Sequence, residues 1–195
     1  MILPIVAYGD PVLRKVAKDI DSDYPNLSEL IDNMKQTMYN AQGVGIAAPQ
    51  IGKSIRLFVI DATPFAEDED ITKEDQEQLR NFNKVFINPK VLDTEGDEWA
   101  FTEGCLSIPD IREDVFRPDS VTFEYQDENF EKQTLTLNGL AGRVFQHEYD
   151  HLEGVLFTDK LSSLKKRIHK KKLEKISTGK INADYRMRFP NLKNK

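Results

Sequence analysis

Asn138-Gly139-Leu140-Ala141-Gly142-Arg143-Val144-Phe145-Gln146-His147-Glu148-Tyr149-Asp150-His151-Leu152 carries more information than any other stretch of the chain. Leu140, Val144, His147 and His151 fall at spacings of four, three and four, the period of a helix with one inward face. Asn138 reads as its N-cap, so the pattern predicts a helix over Gly139 to Leu152. Two histidines four apart on one face can reach the same metal ion. Glu148 sits beside them, next to the coordination sphere, where it can handle the proton of a water activated there. Because the stripe is otherwise apolar, the metal would lie against the core. The alternative is a chance pair on a surface helix, but the chain has only three histidines and two of them fall here with the glutamate in place.

A catalytic site of this kind needs three protein ligands and an open position. A metzincin protease takes its third from a histidine following a glycine downstream. Here Gly154 is in place but position 157 is Phe, so that reading fails. Glu174 is a thermolysin-style candidate, in a basic segment that no second apolar stripe supports. The single cysteine remains, in Glu103-Gly104-Cys105-Leu106-Ser107. Without the histidine pair, a lone cysteine reads as a small buried hydrophobe.

Outside these motifs, Leu27, Leu30, Ile31, Met34 and Met38 share a helical stripe ended by Gly43. Ile55 to Ile60 and Val85 to Leu92 are short β-branched runs that read as strands. Val121 to Tyr125 and Gln133 to Leu137 alternate around Asp127-Glu128-Asn129, a hairpin signal. Strands joined by hairpin turns, with helices out of strict βαβ order, predict α+β: short antiparallel or mixed strands around the central histidine-bearing helix, an N-terminal helix and a basic C-terminal helix. Residues 1–176 read as a single domain and 177–195 as a weakly ordered tail.

The chain has 195 residues, 39% hydrophobic and 31% charged, which suits one core-forming domain. A net charge of −6 excludes a general polyanion binder, and no DNA partner is expected. No run approaches a membrane span. Met1 to Ala7 has neither the basic n-region of a signal peptide nor the Arg/Ser-rich character of a transit peptide. One cysteine fits a reducing compartment, so a cytoplasmic location is expected. Charge is unevenly spread. Residues 61–80 hold eight acids against two bases and read as a solvated loop with a helical turn from Thr72, whereas residues 160–175 hold eight bases against Glu174. Leu161, Leu164 and Ile168 behind Ser162 predict an amphipathic helix anchored by those three residues, its basic face outward.

Three motifs occur in order: Gly43-Val44-Gly45-Ile46-Ala47-Ala48-Pro49-Gln50, Glu103-Gly104-Cys105-Leu106-Ser107, and His147-Glu148-Tyr149-Asp150-His151. With them the chain resembles the peptide deformylase family from its N-terminus to about residue 175. The resemblance implies hydrolytic removal of the formyl group from N-terminal formyl-methionine of nascent polypeptides, in a bacterial cytoplasm. It implies one divalent ion, Fe²⁺ expected with Zn²⁺, Ni²⁺ or Co²⁺ as alternatives, held by Cys105, His147 and His151. It makes Glu148 the catalytic acid/base, Gln50 and the Leu106 N–H the oxyanion donors, Gly45 a backbone partner of the substrate peptide, and Arg112 a residue near the substrate's distal side. Val44, Leu140 and Val144 would form the methionine pocket. The family also implies ribosome docking through the basic C-terminal helix. The rival readings are a zincin-type metalloprotease and an inactive ribosome-docking relative. Tyr149 and Gly142 depart from the family pattern: the first needs a partner for its ring, and the second lowers helix propensity by about 1 kcal/mol against Ala.

Overall fold

The structure, a computed structural model, describes residues 1–68 and 71–190. In chain order it runs β1 (Ile5–Val6), α1 (Leu27–Asn40), β2 (Gly45–Ala47), β3 (Leu57–Asp61), α2 (Lys73–Leu79), β4 (Asn83–Cys105), β5 (Ile108–Gln126), β6 (Lys132–Leu137), α3 (Gly139–Leu152), α4 (Ser163–Ser177) and β7 (Met187–Arg188). Strands β2 to β6 form one antiparallel sheet in sequence order, while β1 and β7 pair in parallel. The protein is thus mixed α and β with an antiparallel sheet, in line with the sequence pattern.

Strand alternation explains how both sheet faces are filled. Leu57 and Val59 point to the α1 side, where they meet Met34 and Met38. Phe58 and Ile60 point to the α3 side, where Phe145 sits among aromatic rings. Phe145 stacks on Phe123 at 3.6 Å between centroids and meets Phe58 and Phe86 edge-on at 5.3 Å. This interlocked aromatic group fixes the depth and rotation of α3, and with them the direction of His147, Glu148 and His151.

Several expectations need correction. Asn138 precedes α3 as predicted, but its side chain makes no capping bond; only its carbonyl engages, accepting from Gly142 N at 3.1 Å. Gly142 is demanded by packing: a Cβ there would lie 2.8 Å from the Leu137 carbonyl oxygen and 3.3 Å from that of Asp119. The helix crosses the sheet too closely for alanine, which overrides the propensity handicap. Tyr149 finds its partners in Phe145, stacked at 6.0 Å, and the Arg56 guanidinium, 5.3 Å from its ring.

β4 and β5 are far longer than the short runs expected, at 23 and 19 residues, with bulges that bend the hairpin. The acidic stretch is only partly a loop. Asp61 ends β3 and is buried, accepting from Tyr39 Oη at 2.6 Å and Asn83 Nδ2 at 2.9 Å. Thr72 caps α2 as its position suggested, accepting from Asp75 N.

The basic helix α4 exists, but Leu164 and Ile168 are 66% and 64% exposed and do not anchor it. Its inward face is one residue further round. Lys165 and His169 both meet Glu113 of β5, at 2.7 and 2.6 Å, and Leu173 and Ile176 complete the contact with Leu161 from the preceding turn. A polar first half, matched to a carboxylate on the strand beneath, is why the apolar spacing misled.

The segment after α4 is not a loose tail over the described residues. Residues 178–190 fold back across the protein, with Ile5 N donating to Arg186 O and Ala7 N to Arg188 O, both at 2.9 Å. Residues 191–195, the end of the expected tail, lie outside the described part.

Candidate active site

Two elements deliver the ligand-type side chains to one point. α3 presents His147 and His151, and Cys105 closes β4 immediately before the two-residue turn into β5. Their ligand atoms all lie within 4.8 Å of one another, with Cys105 Sγ 3.3 Å from His151 Nε2. Among the described residues this is the cluster able to hold a metal ion.

The donor chemistry fits a divalent cation. Glu103 Oε2 lies 2.9 Å from His147 Nδ1; an ionised carboxylate there accepts the hydrogen bond from Nδ1–H of the neutral imidazole and so leaves the Nε2 lone pair free. Burial pulls the His147 imidazole down, but Cys105, Glu103 and Glu148 together push it well above the usual histidine range. The neighbours that raise it, Cys105, Glu103 and Glu148, would also attract a bound cation. Burial holds His151 far below that range, in the neutral form a ligand requires.

Glu103 is the hub of a buried charge network that the sequence reading left without a role. Arg117 donates to it through Nε and Nη2 at 2.7 and 2.9 Å, and Arg143 through Nη1 at 3.2 Å. Arg117 also reaches Asp150 at 2.6 Å, while Arg143 donates to the Val115 and Trp99 carbonyls and lies over the Trp99 ring at 4.4 Å. Burial alone would raise the Glu103 carboxyl, yet hydrogen bonds from Arg117 and His147 outweigh it and hold the group well below the usual carboxylate range. Two signals could have found this network. Glu103 is two residues from Cys105 on a strand, hence on the same face. Arg143 and Asp150 flank His147 at helical spacing.

Glu148 stands apart from the network. It is 4% exposed, its Oε2 has no hydrogen-bond partner among the described residues, and burial pushes its carboxyl up to about 7. It lies directly over Gly45, where a Cβ would come 2.5 Å from Oε1, so this backbone position has room only for glycine.

Gln50, from the short helix Ala48–Ile51, is oriented by its own oxygen, which accepts from Ala47 N at 2.8 Å. That leaves its amide nitrogen facing Cys105 Sγ and Ser107 Oγ, each at 3.5 Å. The free edge of β2 borders the same space. Val44 O accepts from Asp61 N and Gly45 stands opposite Ile60, so ladder alternation turns the Gly45 N–H and C=O away from β3.

All of this opens into a cleft of about 740 Å³. Val44, Phe65, Phe101 and Val144 give it an apolar wall, and Leu106, Arg112 and the segment Asn182 to Tyr185 border it further out. The Arg112 side chain makes no hydrogen bond or ion pair with other described residues. Leu140 does not line the cleft: it is 5% exposed and packs in the core cluster around Phe145. Phe65 and Phe101 were not anticipated, since neither lies in a recognisable motif. A second cleft of about 720 Å³ surrounds Arg56 and Tyr149 away from these groups, its arginine already closed by Glu153 at 2.7 Å.

No described helix is long and apolar enough to cross a membrane. The polypeptide deformylase family model matches residues 2–167. Among curated relatives, the peptide deformylase of Christiangramia forsetii is 65% identical over 193 residues, 99% of this chain and 98% of that protein. That of Flavobacterium johnsoniae is 61% identical over 189 residues, 97% and 96% of the two chains. Of solved structures, the Legionella pneumophila peptide deformylase superposes with a TM-score of 0.76 at 39% identity, covering 90% of this chain and 95% of its own. The Thermotoga maritima peptide deformylase gives 0.71 at 39% identity, covering 83% and 99%. A family match over this length, relatives above 60% identity and the agreement of fold leave one conclusion: the chain belongs to the polypeptide deformylase family.

Proposed function

We propose that this protein hydrolyses the N-terminal formyl group of formyl-methionyl nascent peptides. The observation that carries the reading is the convergence of Cys105, His147 and His151 with a buried carboxylate, Glu148, whose Oε2 has no partner among the described residues, beside the free edge of β2. The three ligands would hold one divalent cation. Thiolate and imidazole donors admit Fe²⁺, Zn²⁺, Co²⁺ or Ni²⁺, and the family resemblance favours Fe²⁺. When bound, such an ion acidifies water towards neutrality and polarises a carbonyl.

The chain's own groups account for the rest. The formyl-methionyl backbone extends along β2, pairing with the outward Gly45 N–H and C=O. The methionine side chain enters the apolar wall of Val44, Phe65, Phe101 and Val144, with Leu140 behind it in the core. Glu148 takes a proton from the attacking water as its oxygen bonds to the formyl carbon. The Gln50 amide N–H and the Leu106 backbone N–H receive the negative charge that develops on the formyl oxygen. As the C–N bond breaks, Glu148 returns a proton to the departing amine, leaving formate and a free N-terminus. Arg112 borders the outer cleft, suited to the distal part of the peptide.

Metal analysis of the purified chain combined with turnover of formyl-Met-Ala-Ser tests the reading. One divalent metal per chain with stoichiometric formate release is expected. Cleavage of unformylated casein without formate release would favour a zincin-type protease. Absence of both activities would leave an inactive docking relative.

Such a substrate points to the cytoplasm, and the surface of α4 supports a ribosomal partner. Its paired cations go to Glu113, leaving Lys166, Arg167, Lys170 and Lys171 exposed around Leu164 and Ile168. Charge reversal at Lys166, Arg167 and Lys170 should abolish low-salt co-sedimentation with ribosomes while sparing formyl-Met-Ala-Ser turnover. Binding by the wild type should fall log-linearly with salt, each neutralised phosphate adding about 0.7–0.9 to the slope. Unchanged co-sedimentation of the reversed protein would remove the docking role.

A further inference from the structure

The segment 181–189 borders the outer cleft with its first half and reaches β1 with its second, beyond the stretch 2–167 that the family model matches. Ile181, Ala183, Tyr185, Met187 and Phe189 are partly buried and alternate with exposed Asn182, Asp184, Arg186 and Arg188. Its far end is fixed twice: β7 pairs with β1, and Arg188 reaches Asp10 at 3.2 Å. Its near end borders the cleft through Asn182 to Tyr185. Between them the Tyr185 hydroxyl donates to the Leu106 carbonyl oxygen at 2.8 Å.

That acceptor belongs to an unusual place in the site. Leu106 and Ser107 form the two-residue turn between Cys105 and Ile108, which pair across β4 and β5. The turn is held from the other side by Tyr8 N, which donates to Ser107 O at 2.8 Å. Gln50 Nε2 approaches Ser107 Oγ at 3.5 Å. No backbone N–H of the described residues donates to the Leu106 carbonyl, and the Tyr185 hydroxyl is the donor it has. Its neighbour, the Leu106 N–H, is the backbone donor assigned to the oxyanion.

We propose that the C-terminal arm is a working wall of the active site, in which the Tyr185 hydroxyl acts as a positioning group that aims the Leu106 N–H by clamping the following peptide plane. The inference rests on the deformylase reading for its kinetic consequence. Donor geometry matters because the oxyanion is stabilised only by groups already directed at it. A displacement of about 1 Å can lower a rate about 10²-fold, and a loosened turn that still samples the right geometry should lose less.

The test compares metal-loaded wild type, Tyr185→Phe and Arg188→Ala on a short formyl-methionyl peptide. Tyr185→Phe is expected to lower kcat about tenfold. KM should stay within about twofold and the melting temperature should fall by no more than about 4 °C. Arg188→Ala loses the Asp10 pair but keeps the hydroxyl, and should retain wild-type kcat. Amide hydrogen exchange at residues 106 and 107, followed in the same metal-loaded proteins, should accelerate in Tyr185→Phe alone. Unchanged kcat with unchanged exchange would overturn the proposal. So would a loss expressed wholly in KM, or one that Arg188→Ala reproduces. Because exchange needs no turnover, it reads the clamp even if the wild type releases no formate, a result that would sink the deformylase reading instead.

Discussion

Glu148→Gln should purify with the wild-type metal content and lose about 10²- to 10⁴-fold in kcat. The geometry separates these two readouts. Cys105, His147 and His151 make up the ligand cluster, and Glu148 is not among them. Its Oε1 lies over Gly45, its Oε2 has no hydrogen-bond partner among the described residues, and the side chain lines the cleft. Glutamine preserves the volume over Gly45 while removing the ability to take and return a proton. Metal analysis and steady-state kinetics on one preparation check the prediction. Retention of more than about a tenth of wild-type kcat would move the acid/base role elsewhere. Metal lost in proportion to activity would mean that the carboxylate serves ligation instead.

Local patterns were legible where burial repeats with the element's own period. The stripes of α1 and α3 and the alternation of β6 with the end of β5 could be read because one face of each meets the core. The middle of β4 could not: from Asp93 to Glu98 it is exposed on both faces, so backbone pairing alone holds it and no apolar period marks it. The same limit hid α4's true inner face, where Lys165 and His169 replace apolar residues above Glu113. The arm is a different case. Ile181, Ala183, Tyr185, Met187 and Phe189 do alternate with polar residues, but strand patterns this close to a chain end look like a tail until β1 is known to receive them.

The site divides in a similar way. Cys105, His147, His151 and Glu148 stand in short motifs whose spacing is itself the chemistry, and the fold brings the three ligands within 4.8 Å. Phe65 and Phe101 come from outside any motif, so only tertiary structure adds them to the apolar wall. Leu140 fails for the converse reason. It shares the stripe of His147, but a helical stripe covers a wide angle, and this residue lies on the part that faces Phe145 and its aromatic neighbours.

The largest loss of stability is expected from Glu103→Ala. The Glu103 and Arg117 side chains are 4% and 3% exposed, and Arg143 is buried beside them. Removing the carboxylate leaves Arg117 with Asp150 alone and Arg143 with only the carbonyls of Val115 and Trp99. Breaking one side of a buried ion pair typically costs about 3–5 kcal/mol, because the remaining charge stays out of water. In a chain of this length each kcal/mol lowers Tm by about 2–4 °C. His147 also loses the acceptor that sets its tautomer, so metal affinity should fall about 10- to 100-fold. Thermal unfolding of the metal-free protein isolates the first effect, and chelator competition at a temperature where the variant is folded isolates the second. An unchanged Tm would mean that the arginines find water or other acceptors, and unchanged affinity would mean that His147 needs no orienting partner. Glu148→Gln should behave in the opposite sense, since it removes a buried carboxylate with an oxygen unsatisfied among the described residues and should leave Tm equal or higher. One glutamate holds His147, a ligand-type side chain, in place and is hydrogen-bonded through both oxygens. The other has an oxygen without a partner among the described residues, where the proposed reaction would need a proton carrier, and only that one should be replaceable without loss of fold.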